Sequence, residues 1–286
     1  MILTDMNNAA VVTLGDLKSR LRMHAQFASK IEKDEKHDLI VYVPPMYDTE
    51  PERHYSVLFM QDGQNLFDPE TSFIKGNYWR MGETADELII ANQIEPLIIV
   101  GIYNTGAHRI DQYTPSEDRR LGGGQADAYG RMLVEELKPF IDDTYRTLPA
   151  AENRGMGGSS LGGLASFYLG LRYAELFGKL AVMSPSVWWH GRDILQTVAQ
   201  LNRKPELRMW LDVGTCEGKR ALTDVRALKR ALLSKGWKLG NDLAYIEAPG
   251  GEHNELAWAQ RVALMLKFLF PARHQVAVRE LHHRHV

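Results

Sequence analysis

The sequence predicts an α/β fold: a mainly parallel central sheet flanked by helices on both faces. Three observations predict it. Strand-like and helix-like stretches alternate through most of the chain, the order that builds parallel strands joined by helical crossovers. Two runs, Ser56-Val57-Leu58-Phe59-Met60 and Leu97-Ile98-Ile99-Val100-Gly101-Ile102, are almost continuously apolar, as strands covered on both faces must be. Between a third short strand and a helix lies Gly158-Ser159-Ser160-Leu161-Gly162, a serine crowded by residues small enough for a sharp turn.

Taken in order, residues 1–12 read as an N-terminal extension, 13–271 as one folded domain and 272–286 as a C-terminal tail. Leu21 to Ser29 alternates loosely, and Leu39-Ile40-Val41-Tyr42-Val43 is a β-rich run stopped by Pro44-Pro45, so the early strands read as antiparallel. The apolar strand at 56–60 runs into Gln61-Asp62-Gly63-Gln64-Asn65, and the strand at 97–102 is its inner companion. From Ala126 to Asp142, Tyr129, Leu133, Leu137 and Ile141 recur every four residues, a helical stripe with Glu135-Glu136 facing solvent and Pro149 beyond its end. Past the serine turn and its helix come strands at 180–185, 208–214 and 242–248. An amphipathic helix at 224–233 lies among them, and a strongly apolar helix at 256–270 is closed by Pro271.

A G-x-S-x-G run in a strand–turn–helix setting is how an α/β-hydrolase presents its nucleophile, which makes Ser160 the candidate. Strain at such an elbow explains the small neighbours, and the run matches neither a P-loop nor a dinucleotide fingerprint. A serine hydroxyl needs a base to take its proton, and the base needs a carboxylate to fix its tautomer. In this fold the chain order is serine, acid, histidine. His253, in the Pro249-Gly250-Gly251-Glu252-His253-Asn254-Glu255 loop after the last strand, fits the base; His190 comes too early. The acid is first Glu217 in Gly214-Thr215-Cys216-Glu217-Gly218, with Asp212 in the strand and Asp224 at a helix start as alternatives. Charge building on a carbonyl oxygen needs two backbone donors, expected at Leu161 and at Gln64, where Gly63 admits close approach. Asp62 reads as a brace for that turn.

Apolar residues make up 44% and charged residues 24% of the 286 positions, enough for a large core, while a net charge of -2 carries no footprint for nucleic acid or an anionic membrane. The single cysteine, Cys216, cannot close an internal disulfide, and neither an apolar span of membrane length nor a secretory pattern is present, so a cytoplasmic protein is expected. No cofactor or metal is called for; His282-His283-Arg284-His285 reads as a tail that binds metal only incidentally. The expected partner is a small-molecule ester, with homo-oligomerisation left open.

Further stretches carry a family resemblance: Val41-Tyr42-Val43-Pro44-Pro45, Met60-Gln61-Asp62-Gly63-Gln64-Asn65-Leu66-Phe67, Tyr113-Thr114-Pro115, Pro139-Phe140-Ile141-Asp142, Gly158 to Gly163, Ser184-Pro185-Ser186, Gly214 to Glu217 and Gly251-Glu252-His253. With these the chain resembles the esterase family of α/β-hydrolases that includes enterochelin esterases, feruloyl and acetylxylan esterases, S-formylglutathione hydrolase and the antigen 85 mycolyltransferases. The resemblance implies a serine esterase with nucleophile Ser160, acid Glu217, base His253 and oxyanion donors at Gln64 and Leu161; Gln61 stands where many members carry histidine. It leaves the substrate open among aryl, sugar-linked and siderophore-type esters. An acyltransferase using the same acyl-enzyme, or a non-catalytic binding protein on this fold, are the rival readings. Trp79, Trp188 and Trp189, with Phe67 and Tyr78 nearby, are candidate aromatic contacts for substrate, and Arg109 a candidate partner for an anionic group. Arg119-Arg120 share that loop region and the same two readings as Arg109, an anion contact or a solvated surface role, and Leu121-Gly122-Gly123-Gly124-Gln125 reads as a flexible loop over the site.

Overall fold

A computed structural model describes residues 16–33 and 35–272. Residues 1–12 and the histidine-rich tail lie outside the described residues. The chain folds in the order β1 (Leu21–Ala28), β2 (Lys36–Tyr42), β3 (Ser56–Gln61), α1 (Met81–Ile90), β4 (Leu97–Ile102), α2 (Arg109–Tyr113), β5 (Glu117–Asp118), β6 (Gly122–Gly123), α3 (Ala126–Met132) and α4 (Lys138–Thr144). It continues with β7 (Arg154–Ser159), α5 (Ser160–Arg172), β8 (Lys179–Met183), α6 (Asp193–Ala199), β9 (Arg208–Gly214), α7 (Lys219–Ser234), β10 (Leu243–Ala248) and α8 (Glu255–Leu269).

Eight strands form one sheet in the order β1-β2-β4-β3-β7-β8-β9-β10. β1 and β2 run antiparallel to each other, as does β2 to β4, and every pairing from β4 to β10 is parallel. The split follows from the connections, because a short turn joins β1 to β2 whereas the parallel strands are separated by helical crossovers.

Side-chain alternation along the inner strands builds two cores. Val57 and Phe59 face a layer with Tyr129, Leu133, Leu164, Phe167, Ile194 and Leu228. Leu58 and Met60 face the opposite layer with Met81, Leu88, Trp258, Met265 and Leu269. Thus α3 to α7 cover one face and α1 with α8 the other, which is why β3 and β4 are buried at every position and apolar at nearly all of them.

The helix expected from 126 to 142 differs in detail. It is α3 and α4 joined by a π turn over Leu133–Leu137, and it ends at Thr144. A strict four-residue repeat drifts around a 3.6-residue helix, and a wider turn takes up the drift. Tyr129, Leu133, Leu137 and Ile141 accordingly all stay buried. Glu136 is not simply solvated: it accepts the Ser29 hydroxyl at 2.6 Å and the Lys30 N–H at 2.9 Å, tying the β1–β2 turn to this helix. The 121–125 loop is also tied. Gly122–Gly123 pairs with Glu117–Asp118, the Gly123 N–H donates to Asp111 at 3.0 Å, and the Gly124 N–H to the Thr114 hydroxyl at 2.9 Å. Among the described residues no helix is long and apolar enough to cross a membrane.

Candidate active site

Parallel strands deliver their following loops to one edge of the sheet, where open α/β sheets gather ligands. Here that edge collects the turn after β3, the elbow after β7, and the loops after β8, β9 and β10.

Ser160 is the first residue of α5, and its φ is 56°, a left-handed conformation rare for a side-chain-bearing residue. Close crossing of β7 and α5 holds it there. A Cβ on Gly158 would lie 2.9 Å from the Gly162 carbonyl carbon, so neither position accepts a larger residue without movement.

The Ser160 hydroxyl donates to His253 Nε2 at 2.9 Å. His253 Nδ1 donates to Glu217 Oε2 at 2.8 Å, and because an ionised carboxylate only accepts, this bond puts the proton on Nδ1 and leaves Nε2 free to accept from serine. Ser186 Oγ lies 3.3 Å from Ser160 Oγ, and the Ser186 N–H donates to the Ser160 carbonyl at 2.9 Å.

Glu217 is held more tightly than its partner. Its side chain is 1% exposed against 44% for His253. Oε1 accepts the Ser184 hydroxyl at 2.5 Å and the Gly214 N–H at 2.6 Å. Burial alone would raise this carboxyl; the bonds from His253, Ser184 and Gly214 outweigh it and hold the group below its ordinary value.

Behind Glu217 is a second buried acid, Asp212. It accepts from Arg261 Nη1 at 2.8 Å, from Trp210 Nε1 at 2.7 Å and from the Ser184 N–H at 3.1 Å. Burial pushes its carboxyl up to about 6 despite the arginine. Its bonds go to these three groups, while His253 Nδ1 is bonded to Glu217 instead. Asp224, the other alternative, lies in the second turn of α7 rather than at its start. It is 1% exposed and ion-paired to Arg192 at 2.5 Å.

Leu161 is the second residue of α5, where a backbone N–H has no acceptor inside the helix. Gln64 sits in a 3-10 turn, Gly63–Asn65, entered through a left-handed Asp62. The Gln64 side chain accepts the Asn104 N–H at 3.3 Å.

The aromatic candidates divide. Trp188 is 38% exposed and lines a cleft of about 460 Å³ together with Ser186, Val213, Arg220, Asp224 and His253. Trp79 and Trp189 need correction as substrate contacts. Trp79 is 2% exposed and packs on Trp258, and Trp189 is 1% exposed with its indole N–H donated to the Ser116 carbonyl at 2.9 Å. Both are core residues with no surface to offer a ligand. Phe67 is likewise buried, stacked on Tyr42, and the Tyr78 hydroxyl donates to Glu83. Arg109 is committed to Asp62, with Nε and Nη2 each donating at 2.7 Å.

Sequence reasoning missed Ser184, Trp258 and Arg261. Trp258 lies 5.0 Å from the His253 ring, edge to face, and its indole N–H donates to the Ser184 hydroxyl at 3.0 Å. The one available signal was the Ser184-Pro185-Ser186 turn at the end of the strand neighbouring the elbow. Among the described residues no group of three or more His, Cys, Asp or Glu could hold a metal ion.

A family model described as "Putative esterase" matches residues 32–269. Uncharacterized protein YjcH of Bacillus subtilis is 32% identical over 193 residues, which cover 67% of this chain and 72% of that protein. Among solved structures, the BES protein from Bacillus cereus superposes with a TM-score of 0.71 at 20% identity, covering 94% of this chain and 99% of that one. The enterobactin esterase FES from Shigella flexneri, in the presence of enterobactin, gives a TM-score of 0.70 at 19% identity over 87% of this chain and 57% of that one. At such identities the two structures speak for the fold, an α/β-hydrolase; the family match spans most of the domain. The chain belongs to this esterase family and is a carboxylic-ester hydrolase.

Proposed function

We propose that the protein hydrolyses a carboxylic ester through an acyl-enzyme on Ser160, with His253 as base, Glu217 as its orienting acid, and the N–H groups of Leu161 and Gln64 as oxyanion donors. One observation carries this reading: the unbroken path from Ser160 Oγ through His253 to Glu217, at 2.9 and 2.8 Å. Serine attacks the ester carbonyl as its proton passes to Nε2; the imidazolium is stabilised by Glu217 and returns the proton to the departing alcohol. Water then attacks the acyl group, losing a proton to the same nitrogen, and releases the acid while the proton returns to serine. Charge on the carbonyl oxygen builds towards the positive end of α5.

The substrate we infer is an ester with an aryl-bearing arm, of the aryl or siderophore type. The cleft beside His253 supports it: its walls are Trp188, Val213, Ala221 and Val225, with Arg220 at the rim. The name of FES, an enterobactin esterase, fits the siderophore branch. Ser160→Ala should abolish turnover of short p-nitrophenyl esters and labelling by a fluorophosphonate, with unfolding unchanged; unchanged turnover would exclude the mechanism. Running aryl, acetyl, macrolactone and thioester substrates with and without an added alcohol acceptor identifies the arm and separates hydrolysis from transfer.

A further inference from the structure

We propose that Arg109 is a positioning residue for the oxyanion turn, acting through Asp62 by fixing the turn's carboxylate and cancelling its charge beside the elbow; this rests on the hydrolytic reading above. The Asp62 carboxylate is the meeting point of three elements. It accepts from Arg109 Nε and Nη2 of α2 and from Asn104 Nδ2 after β4, all at 2.7 Å. It also touches the serine helix, since a Cβ built on Gly162 would lie 3.1 Å from Asp62 Oδ2. The Asp62 N–H donates to the Tyr113 hydroxyl at 3.1 Å, and the Arg109 guanidinium lies over the Tyr113 ring, 5.1 Å from its centroid.

That geometry fixes the turn from two directions. Gly63 is pressed on the backbone of β4, where an added Cβ would lie 2.3 Å from the Gly101 carbonyl carbon. Asp62, at φ 56°, cannot relax to an ordinary conformation while its carboxylate is gripped on the other side. Between these anchors the Gln64 N–H has little freedom, as a preorganised donor requires.

The same carboxylate poses an electrostatic problem. A negative charge against the first turn of α5 opposes the negative charge that forms on the substrate oxygen there, and Glu255, 6% exposed and joined to Asn65 Nδ2 at 3.4 Å, adds a second acid nearby. Burial and the proximity of Asp62 raise the Glu255 carboxyl, while its own backbone N–H, His253 and Arg109 lower it; Arg109 is the one of these that is also bonded to Asp62. Arg109 is the sequence-level candidate for binding an anionic substrate group; its fork is instead satisfied inside the protein.

The test is a cycle of Arg109→Gln, Asp62→Asn and the double variant, with Arg109→Lys as a second probe that keeps the charge but not the fork. Activity is read on p-nitrophenyl butyrate well below each variant's unfolding temperature, alongside Ser160→Ala. Arg109→Gln should lower kcat about 100-fold, the loss expected for a misplaced oxyanion donor, with KM changed less than about 3-fold. Asp62→Asn placed on Arg109→Gln should recover about 10-fold in kcat, because it removes the uncompensated charge. Arg109→Lys should fall between wild type and Arg109→Gln. Two results would overturn the assignment: Arg109→Gln and Arg109→Lys both within about 3-fold of wild type, or a double variant no faster than Arg109→Gln. Turnover indifferent to Ser160→Ala would instead strike the hydrolytic reading itself, and so the two failures are distinguishable.

Discussion

Replacing Ser184 by alanine tests how Glu217, the acid of the proposed triad, is held. The hydroxyl donates to Glu217 Oε1 at 2.5 Å and accepts from Trp258 Nε1 at 3.0 Å. Its backbone is already left-handed at φ 41°, a conformation no easier for serine than for alanine, so the change isolates the hydroxyl. Losing a hydrogen bond to a charged acceptor costs about 2 kcal/mol, and stranding the buried indole N–H about 1 more. A loss near 3 kcal/mol corresponds to a fall in Tm of roughly 6–9 °C for a domain of this size. If half of the first contribution is felt when His253 becomes charged, kcat drops about 5-fold.

The pH dependence of this loss gives a sharper check. Glu217 is depressed below its ordinary value of 4.5, so its stabilisation is complete above that value and disappears as pH falls through the lower folded-state value. Without Ser184 the carboxyl moves back towards 4.5, and the stability gap between the two proteins narrows below about pH 4. Circular-dichroism melts at pH 7.5 and 3.5, together with p-nitrophenyl butyrate turnover, measure both effects. A Tm within about 1 °C of wild type at pH 7.5, or an equal gap at both pH values, would refute the reasoning.

Three more outcomes follow from the same geometry. Gly63→Ala forces a Cβ to within 2.3 Å of the Gly101 carbonyl carbon, so either the turn or β4 must shift. We expect about 1–3 kcal/mol lost in chemical denaturation and a fall in kcat of about 100-fold, larger than the stability loss alone implies. Arg261→Met strands Asp212, whose carboxyl already lies at about 6 with the arginine present. The destabilisation should be about 3–5 kcal/mol at pH 8 and clearly smaller at pH 5, because a folded-state value raised still further lets Asp212 take a proton and shed its charge; a pH-independent loss contradicts this. Trp188→Ala removes an exposed wall of the cleft, so KM for an aryl ester should rise about 3- to 10-fold while an acetyl ester is unaffected; equal changes for both would remove Trp188 from the substrate's path.

Local chemistry made much of the fold and site readable. β3 and β4 are apolar at nearly every position because both faces are covered, and small residues crowd Ser160 because β7 and α5 cross at backbone distance. Glu217 and His253 were singled out by chain order and by their loops after strands that end at the same sheet edge, with the family resemblance pointing to the same two residues. What stayed hidden depends on partners remote in sequence. Nothing near Trp79 or Trp189 marks them as buried, because an aromatic side chain fits a core or a ligand wall equally well. Arg261 reads as one charge on an apolar helix; only its 49-residue reach to Asp212 shows why a charge is there.

Those remote partners share an electrostatic logic that the motif does not contain. Four acids, Asp62, Asp212, Glu217 and Glu255, lie in and behind the candidate site, and all are at least largely buried. Asp62 has Arg109 at 2.7 Å and Asp212 has Arg261 at 2.8 Å. Arg261 stands 3.8 Å from Glu217, too far for a hydrogen bond, and the group bonded to Glu217 Oε2 is His253, which becomes the cation in the proposed mechanism. A low-dielectric site strengthens every such interaction, so charges that are not meant to act must be neutralised in place. The arginines lie on the β3 and β9 sides of the site, and of the two acids they leave without a bonded arginine, Glu217 and Glu255, Glu217 is the one joined to His253 Nδ1, as the acid of the proposed mechanism must be.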